Sequence, residues 1–199
     1  RRGRSPLQDR ATEILREAGP EADGPLRLAL ASRHVPSVSL AAEVIAARAA
    51  ASGQETGAAA LLRDTLMGGV PAASARTCLE ALTSLTTSPP WIDLLSSRSP
   101  TVRRGAAARL ADSGAASVSP ALIRLATGAA GSDTRHHAVV LLGGVPGTAA
   151  DNALMAALAD ASATVRGDAS LVLGTRAGSD HSLALRLRDH VRAGGLEDA

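Results

Sequence analysis

The chain has 199 residues, of which 45% are hydrophobic and 20% are charged, with a formal net charge of +2. This near-neutral balance argues against the broad basic surface that is typical of nucleic-acid-binding domains. The single cysteine, Cys78, excludes an intrachain disulfide framework and an all-cysteine metal site. No stretch resembles an apolar transmembrane helix or a signal peptide, so we expect a cytoplasmic protein with no membrane partner.

The composition is unusual in its aromatic and basic residues. Every basic residue is arginine, phenylalanine and tyrosine are absent, and Trp91 is the one tryptophan. Lysine, phenylalanine and tyrosine share AT-rich codons, so their joint absence indicates a GC-rich genome such as that of an actinobacterium. A core built mainly of alanine, leucine and valine requires helices that approach one another closely.

Helix signals divide the first half of the chain into one unpaired helix and two helix pairs. Ser5 and Pro6 are typical of a helix start and predict a helix over about 5–18. Two helix pairs are predicted at about 24–52 and 55–87. Since the first helix has no partner before it, we expect the chain to be part of a longer repeat protein.

The second half continues with shorter units. Three helix pairs and a C-terminal capping helix are predicted, at about 89–113, 117–145, 148–177 and 180–193. The break from Thr87 to Pro90 shortens the first helix of the third pair, which is expected from Trp91 to Ser96. Trp91 either anchors a partner or fills the gap that this short helix leaves.

The loop sequence Gly-Gly-Val-Pro occurs twice, at 68–71 and at 143–146. Twin glycines after a helix predict left-handed C-caps. A phosphate-binding loop is a poor match, because the Lys-Ser/Thr step that such loops carry is missing.

A repeat becomes visible when the second helices are aligned on one anchor position. The anchor falls at 8, 39, 76, 103, 135 and 166, with spacings of 31, 37, 27, 32 and 31. These lengths suit a two-helix repeat. Apolar or small residues recur at offsets −1, +3, +6 and +7, which share one face of an α-helix. We therefore predict that these four columns form the core.

The last copy carries the most complete motif, with Val165-Arg166 opening a helix and Asp160 six residues before the arginine. This motif resembles a HEAT repeat, particularly the short HEAT-like repeats of the phycobilisome-lyase type. In that family, the Asp/Arg pair ties the turn between the helices to the second helix, a role that the resemblance gives to Asp160 and Arg166. Other copies depart from the motif; Ser97, for example, stands where an aspartate would precede Arg103.

The resemblance implies an all-α fold, a right-handed α-α superhelix of about five helix pairs that forms a single domain over 1–199. Second helices in such a solenoid line an extended concave surface. We therefore predict a non-catalytic scaffold that binds a protein partner or another domain of the same polypeptide. The candidate contact residues on this surface are Arg104, Arg109, His136, His137 and Asp168.

The sequence predicts no catalytic, cofactor or metal site. His136 and His137 are adjacent on a helix and point about 100° apart, whereas zinc sites on one helix favour i, i+4 spacing. Cys78 is expected to be a small, half-buried helix residue rather than a nucleophile. No hydrolase, nucleotide-binding or metalloprotease motif is present.

A second function stays open, which is binding to duplex DNA in the manner of HEAT-like DNA glycosylases. Its arginine stripe would comprise Arg103, Arg104, Arg109, Arg124, Arg135 and Arg166. Arg109 stands in a column that is otherwise mostly apolar. Either its aliphatic stem packs while the guanidinium reaches water, or it contacts a carboxylate such as Asp112.

Overall fold

The computed structural model describes residues 6–18, 20–86, 90–128 and 130–193, and every regular element among them is a helix. The predicted all-α class is therefore confirmed. The predicted cap Ser5 and the segment from Thr87 to Pro89 lie outside the described residues. The α-helices are α1 (Pro6–Glu17), α2 (Asp23–Ala31), α3 (Val35–Ser52), α4 (Glu55–Gly68), α5 (Ala72–Leu85), α6 (Trp91–Leu94), α7 (Pro100–Ser113), α8 (Ser119–Thr127), α9 (Ser132–Leu142), α10 (Thr148–Ala157), α11 (Ala163–Ala177) and α12 (His181–Ala193).

The chain forms two compact units, 1–105 and 106–199, which divide within α7. In the first unit, the second helices α3 and α5 pack against each other. Helices α2 and α4 pack on them as first helices, and α1 also packs against α3. The short helix α6 packs against α4. Its tryptophan, Trp91, is only 7% exposed, which fits the gap-filling interpretation.

The second unit contains two layers of helices. The second helices α9 and α11 pack side by side in one layer, and the first helices α8 and α10 pack side by side in the other. Each pair, α8 with α9 and α10 with α11, packs across the layers. Helix α12 follows as a further first helix against α10 and α11.

Three of the four predicted core columns are largely buried. At offset +3, Ala42, Ala106, Ala138 and Ala169 are all fully buried. These alanines let neighbouring helices approach closely, as the composition predicts. Offset +6 is mixed, because Ile14 is 54% exposed while Leu82 is fully buried. The prediction was wrong for parts of this column, since a residue six positions after the anchor lies at the edge of the buried face.

Local signals explain several helix ends. Pro36 lies in the first turn of α3, where its missing N–H costs no hydrogen bond. Gly53 ends this helix with a φ of 69°, which favours glycine. The predicted left-handed caps at the second Gly-Gly-Val-Pro loop are wrong, because Gly143 has a right-handed φ of −56°. There the chain makes a tight helical turn that buries Val145.

Candidate interaction surface

The anchor arginines hold the turns that precede the second helices. Arg103 Nη1 donates to the Ser97 carbonyl oxygen at 2.7 Å, and Arg166 Nη1 donates to the Asp160 carbonyl oxygen at 2.8 Å. Arg135 donates in the same way to the Ala130 carbonyl oxygen. Three of the six stripe arginines therefore have a guanidinium engaged within the protein.

The carboxylate of Asp160 binds a different arginine from the one that the family resemblance implied. Its two oxygens lie 2.6 Å from Arg135 Nε and 2.8 Å from Arg135 Nη2, a bidentate bridge between consecutive second-helix starts. Asp160 Oδ1 also accepts a hydrogen bond from the Ser162 N–H at 2.7 Å, within the turn that precedes α11. Asp160 therefore joins two repeats through its carboxylate. Arg166 holds the turn before α11 by donating to backbone carbonyl oxygens of that turn.

In the first unit, the uncharged side chain of Ser97 also links a turn to the preceding repeat. Its hydroxyl accepts from the Ser99 N–H at 3.2 Å, as Asp160 does from Ser162. The same hydroxyl donates to the Leu66 carbonyl oxygen of the preceding repeat at 2.5 Å. The serine therefore keeps the bond to the N–H two residues later, but it joins the preceding repeat at a carbonyl of its first helix, α4, instead of at an arginine of a second helix.

The stability of the folded protein should depend on pH through the ionisation of the Asp160 carboxyl. The hydrogen bonds from Arg135, then that from Ser162, and the charge of Arg166 lower the pKa of this carboxyl, against the opposing effect of burial. A lowered folded-state pKa contributes stability above the unfolded value of about 4, and that contribution is lost as pH falls through the folded pKa. We expect Asp160→Asn to melt below the wild type at pH 7 and the two melting temperatures to converge as the pH falls below about 4 and through the folded pKa. Parallel melting temperatures from pH 7 to 2 would contradict this role, and the exposed Asp64→Asn serves as the control.

The structure brings two predicted contact residues together on the second-helix layer of the second unit. His136 Nδ1 of α9 lies 2.5 Å from Asp168 Oδ2 of α11, and the two side chains are 32% and 23% exposed. The His137 ring lies 4.7 Å from the His136 ring, centroid to centroid, with the planes tilted by 53°. His136 and Asp168 thus form a bridge between neighbouring helices.

Beside this bridge lie two exposed apolar side chains that the sequence analysis did not single out. Val140 is 48% exposed and Leu171 is 72% exposed. Val140 lies five residues after the anchor Arg135, and Leu171 lies five residues after the anchor Arg166. Each is about one helical turn beyond the bridge residue on its own helix, His136 or Asp168. A Cβ at Gly143 would lie 3.1 Å from Val172 Cγ1, so the two helices stay in close contact along this face. We call Val140, Leu171, His136, His137 and Asp168 the α9–α11 patch.

A buried carboxylate outside this patch was also missed. Asp151 of α10 is 5% exposed, and its oxygens lie 2.7 Å from Arg176 Nη2 and 3.1 Å from Arg186 Nη1. Arg176 also donates to the carbonyl oxygens of Leu142 and Val145, at 3.2 and 2.9 Å. The network ties α10, α11 and α12 to the loop after α9. The available signal was an aspartate between the apolar residues of a helix that is otherwise rich in alanine.

The other predicted residues have varied surroundings. Arg104 is exposed on α7 and Arg109 is half-buried on the same helix. Arg124 lies on the first helix α8, outside the second-helix layer that carries Arg135 and Arg166.

Cys78 is fully buried, deeper than predicted, and burial raises the pKa of its thiol to about 11. At neutral pH this thiol is protonated and is therefore a poor nucleophile.

Across the described residues, no cluster of three or more histidine, cysteine, aspartate or glutamate side chains is arranged to hold a metal ion. A search of the same residues for membrane-spanning segments found no helix of sufficient length and apolarity.

Comparison with known families shows that the model for HEAT repeats matches residues 88–174. The matched segment contains the α9–α11 patch and the bridge from Asp160 to Arg135. Searches of curated proteins and of solved structures found no significant match. The match supports HEAT repeats in general and does not single out the phycobilisome-lyase type.

Proposed function

Since residues 88–174 are HEAT repeats, we propose that the protein is a non-catalytic scaffold that binds a protein partner through the α9–α11 patch. The observation that carries this proposal is the exposure of Leu171, a large apolar side chain. Leu171 is 72% exposed on α11, while Ala169 on the opposite face of the same helix is fully buried. Apolar side chains exposed in the same column of two adjacent repeats favour a contact surface. The partner is either a separate protein or another region of the same polypeptide.

The surroundings of Leu171 suit a protein partner. The patch combines two apolar side chains with a polar rim made by His136, His137 and Asp168. Protein interfaces typically have an apolar centre surrounded by polar groups that remain partly hydrated. The rim carries both a carboxylate and imidazoles, which favours a partner of mixed charge over a polyanion.

Leu171→Asp should weaken partner binding while leaving the fold intact. Placing a charge at the centre of an apolar contact is expected to weaken binding by about tenfold or more. The matched control is Leu28→Asp in α2, because Leu28 is 75% exposed and lies in the first unit. Purified wild type and the two variants are immobilised and incubated with lysate of the source organism, and the bound proteins are identified by mass spectrometry.

We expect one or more proteins that the wild type and Leu28→Asp retain and that Leu171→Asp loses. Recombinant versions of these proteins are then titrated by calorimetry to measure the loss. If Leu171→Asp retains the same proteins with the same affinity as Leu28→Asp, the patch is not the contact surface.

Binding to duplex DNA has less support as a function. Arg103, Arg135 and Arg166 each donate hydrogen bonds to backbone carbonyl oxygens of turns. Arg135 also forms an ion pair with Asp160. Contacts with phosphates would require these guanidinium groups to give up or share those bonds. The net charge of +2 leaves little surplus for a polyanion.

A further inference from the structure

A cleft in the first unit is separate from the α9–α11 patch. In the second unit, the first helices α8 and α10 pack side by side. In the first unit, as far as the chain is described, α2 and α4 have no comparable packing, and a cavity of about 880 Å³ opens beside them. Its volume lies within the range of about 300–1,000 Å³ that is usual for small-molecule sites.

Both apolar and cationic groups line this cleft. Leu26, Ile45 and Leu61 contribute apolar surface from α2, α3 and α4. Arg16, Arg27 and Arg48 contribute guanidinium groups from α1, α2 and α3. Three arginines on three helices converge on one cavity, although the chain as a whole is close to neutral.

The arginines differ in how they are held. Arg48 is 19% exposed, and its Nη1 lies 3.1 Å from Asp23 Oδ1, so its guanidinium is fixed in place. Within the described part of the chain, Arg16 and Arg27 form no ion pair, and both are exposed. One carboxylate therefore faces three guanidinium groups, which leaves an excess of positive charge in the cleft.

We propose that this cleft binds a small organic anion, in which a carboxylate or phosphate group is attached to an apolar body. Guanidinium groups bind both head groups through paired N–H donors, and the apolar surface from Leu26, Ile45 and Leu61 accommodates the rest of the molecule. Thr56 and Gly57 of α4 also border the cavity.

The test uses two fluorescent probes that share an apolar body and differ in charge. The anionic probe is 8-anilinonaphthalene-1-sulfonate, and the neutral probe is N-phenyl-1-naphthylamine. We expect the intact protein to bind one equivalent of the anionic probe at least about tenfold more tightly than the neutral one, because the anion makes charge-assisted hydrogen bonds. Hexanoate and hexyl phosphate then compete with the bound probe, and the stronger competitor identifies the preferred head group.

Two sets of variants locate the site. The double variant Arg16→Gln/Arg27→Gln should weaken binding of the anionic probe by about tenfold or more. The matched double variant Arg33→Gln/Arg124→Gln removes the same charge from exposed positions outside the cleft and should bind like the wild type. Gly57→Leu should also weaken binding of both probes, because a Cβ at Gly57 meets no atom within 4 Å and the larger side chain enters the open space.

Three results would overturn the proposal. These are equal affinity for the two probes, no displacement by either hexanoate or hexyl phosphate, and unchanged binding in both Arg16→Gln/Arg27→Gln and Gly57→Leu. None of these results bears on the α9–α11 patch, which lies in the other unit.

Discussion

Asp151→Asn is expected to destabilise the protein by about 2–4 kcal/mol in chemical denaturation. Asp151 is 5% exposed, and it faces Arg176 and Arg186, whose side chains are 19% and 33% exposed. Removing one charge from a buried ion pair leaves its partners without compensation, which costs about 3–5 kcal/mol when the pair is fully buried. The partial exposure of the two arginines reduces this cost, because water screens part of the uncompensated charge.

The control for this prediction is Asp189→Asn. Asp189 is bound to Arg188 at 2.9 Å, but their side chains are 63% and 51% exposed. Loss of such a surface pair is expected to change the free energy of unfolding by less than about 1 kcal/mol. Equal effects of the two substitutions would show that the Asp151 network contributes no more than a surface ion pair.

The two arginines around Asp151 should not be equivalent. Arg176 also donates to the carbonyl oxygens of Leu142 and Val145, whereas Arg186 donates to the exposed Asn152 side chain at 2.6 Å. Arg176→Gln removes the guanidinium that donates to two backbone carbonyls and also the charge that pairs with the carboxylate. Its cost should therefore exceed that of Arg186→Gln in the same denaturation experiment.

The fold could be predicted from the sequence because its core depends on short-range periodicity. An alanine lies three residues after five of the six anchors and faces the neighbouring helices whatever the details of stacking, and Ala42, Ala106, Ala138 and Ala169 are all fully buried. The edge of the buried face was less predictable. Whether a residue at offset +6 is covered depends on the crossing angle of adjacent helices, which no single helix encodes.

The partners of charged side chains could not be predicted in the same way. Asp160 lies six residues before Arg166 in the sequence, yet its carboxylate binds Arg135, which is 25 residues away. The choice depends on the distance between successive repeats, which is set by side chains elsewhere in the core. His136 and Asp168 were selected by their offsets from the anchor, but only the stacking of α9 on α11 shows that they pair.

Leu171 shows what the repeat alignment could have revealed. It lies two residues after the buried Ala169, on the opposite face of α11, and Val140 occupies the same offset in α9. Large apolar residues on an outward column of two consecutive repeats are a sequence signal, provided that the core columns are assigned first.

Ala169→Leu is expected to destabilise the protein by about 1–3 kcal/mol, because the added carbons must enter a closely packed seam. Ala169 is fully buried on the inner face of α11, and α11 packs against both α9 and α10. The control is Ala156→Leu on an exposed position of α10, where a change of less than about 0.5 kcal/mol is expected. Chemical denaturation of both variants measures the difference.

The sign of this result tests how the core is built. A chain with no phenylalanine or tyrosine can form its core either by bringing helices close together or by leaving unfilled space between them. Close approach predicts that the larger side chain at position 169 pushes the helices apart and lowers stability. If Ala169→Leu stabilised the protein instead, the seam would contain space for the added carbons, and the alanine column would reflect composition rather than tight packing.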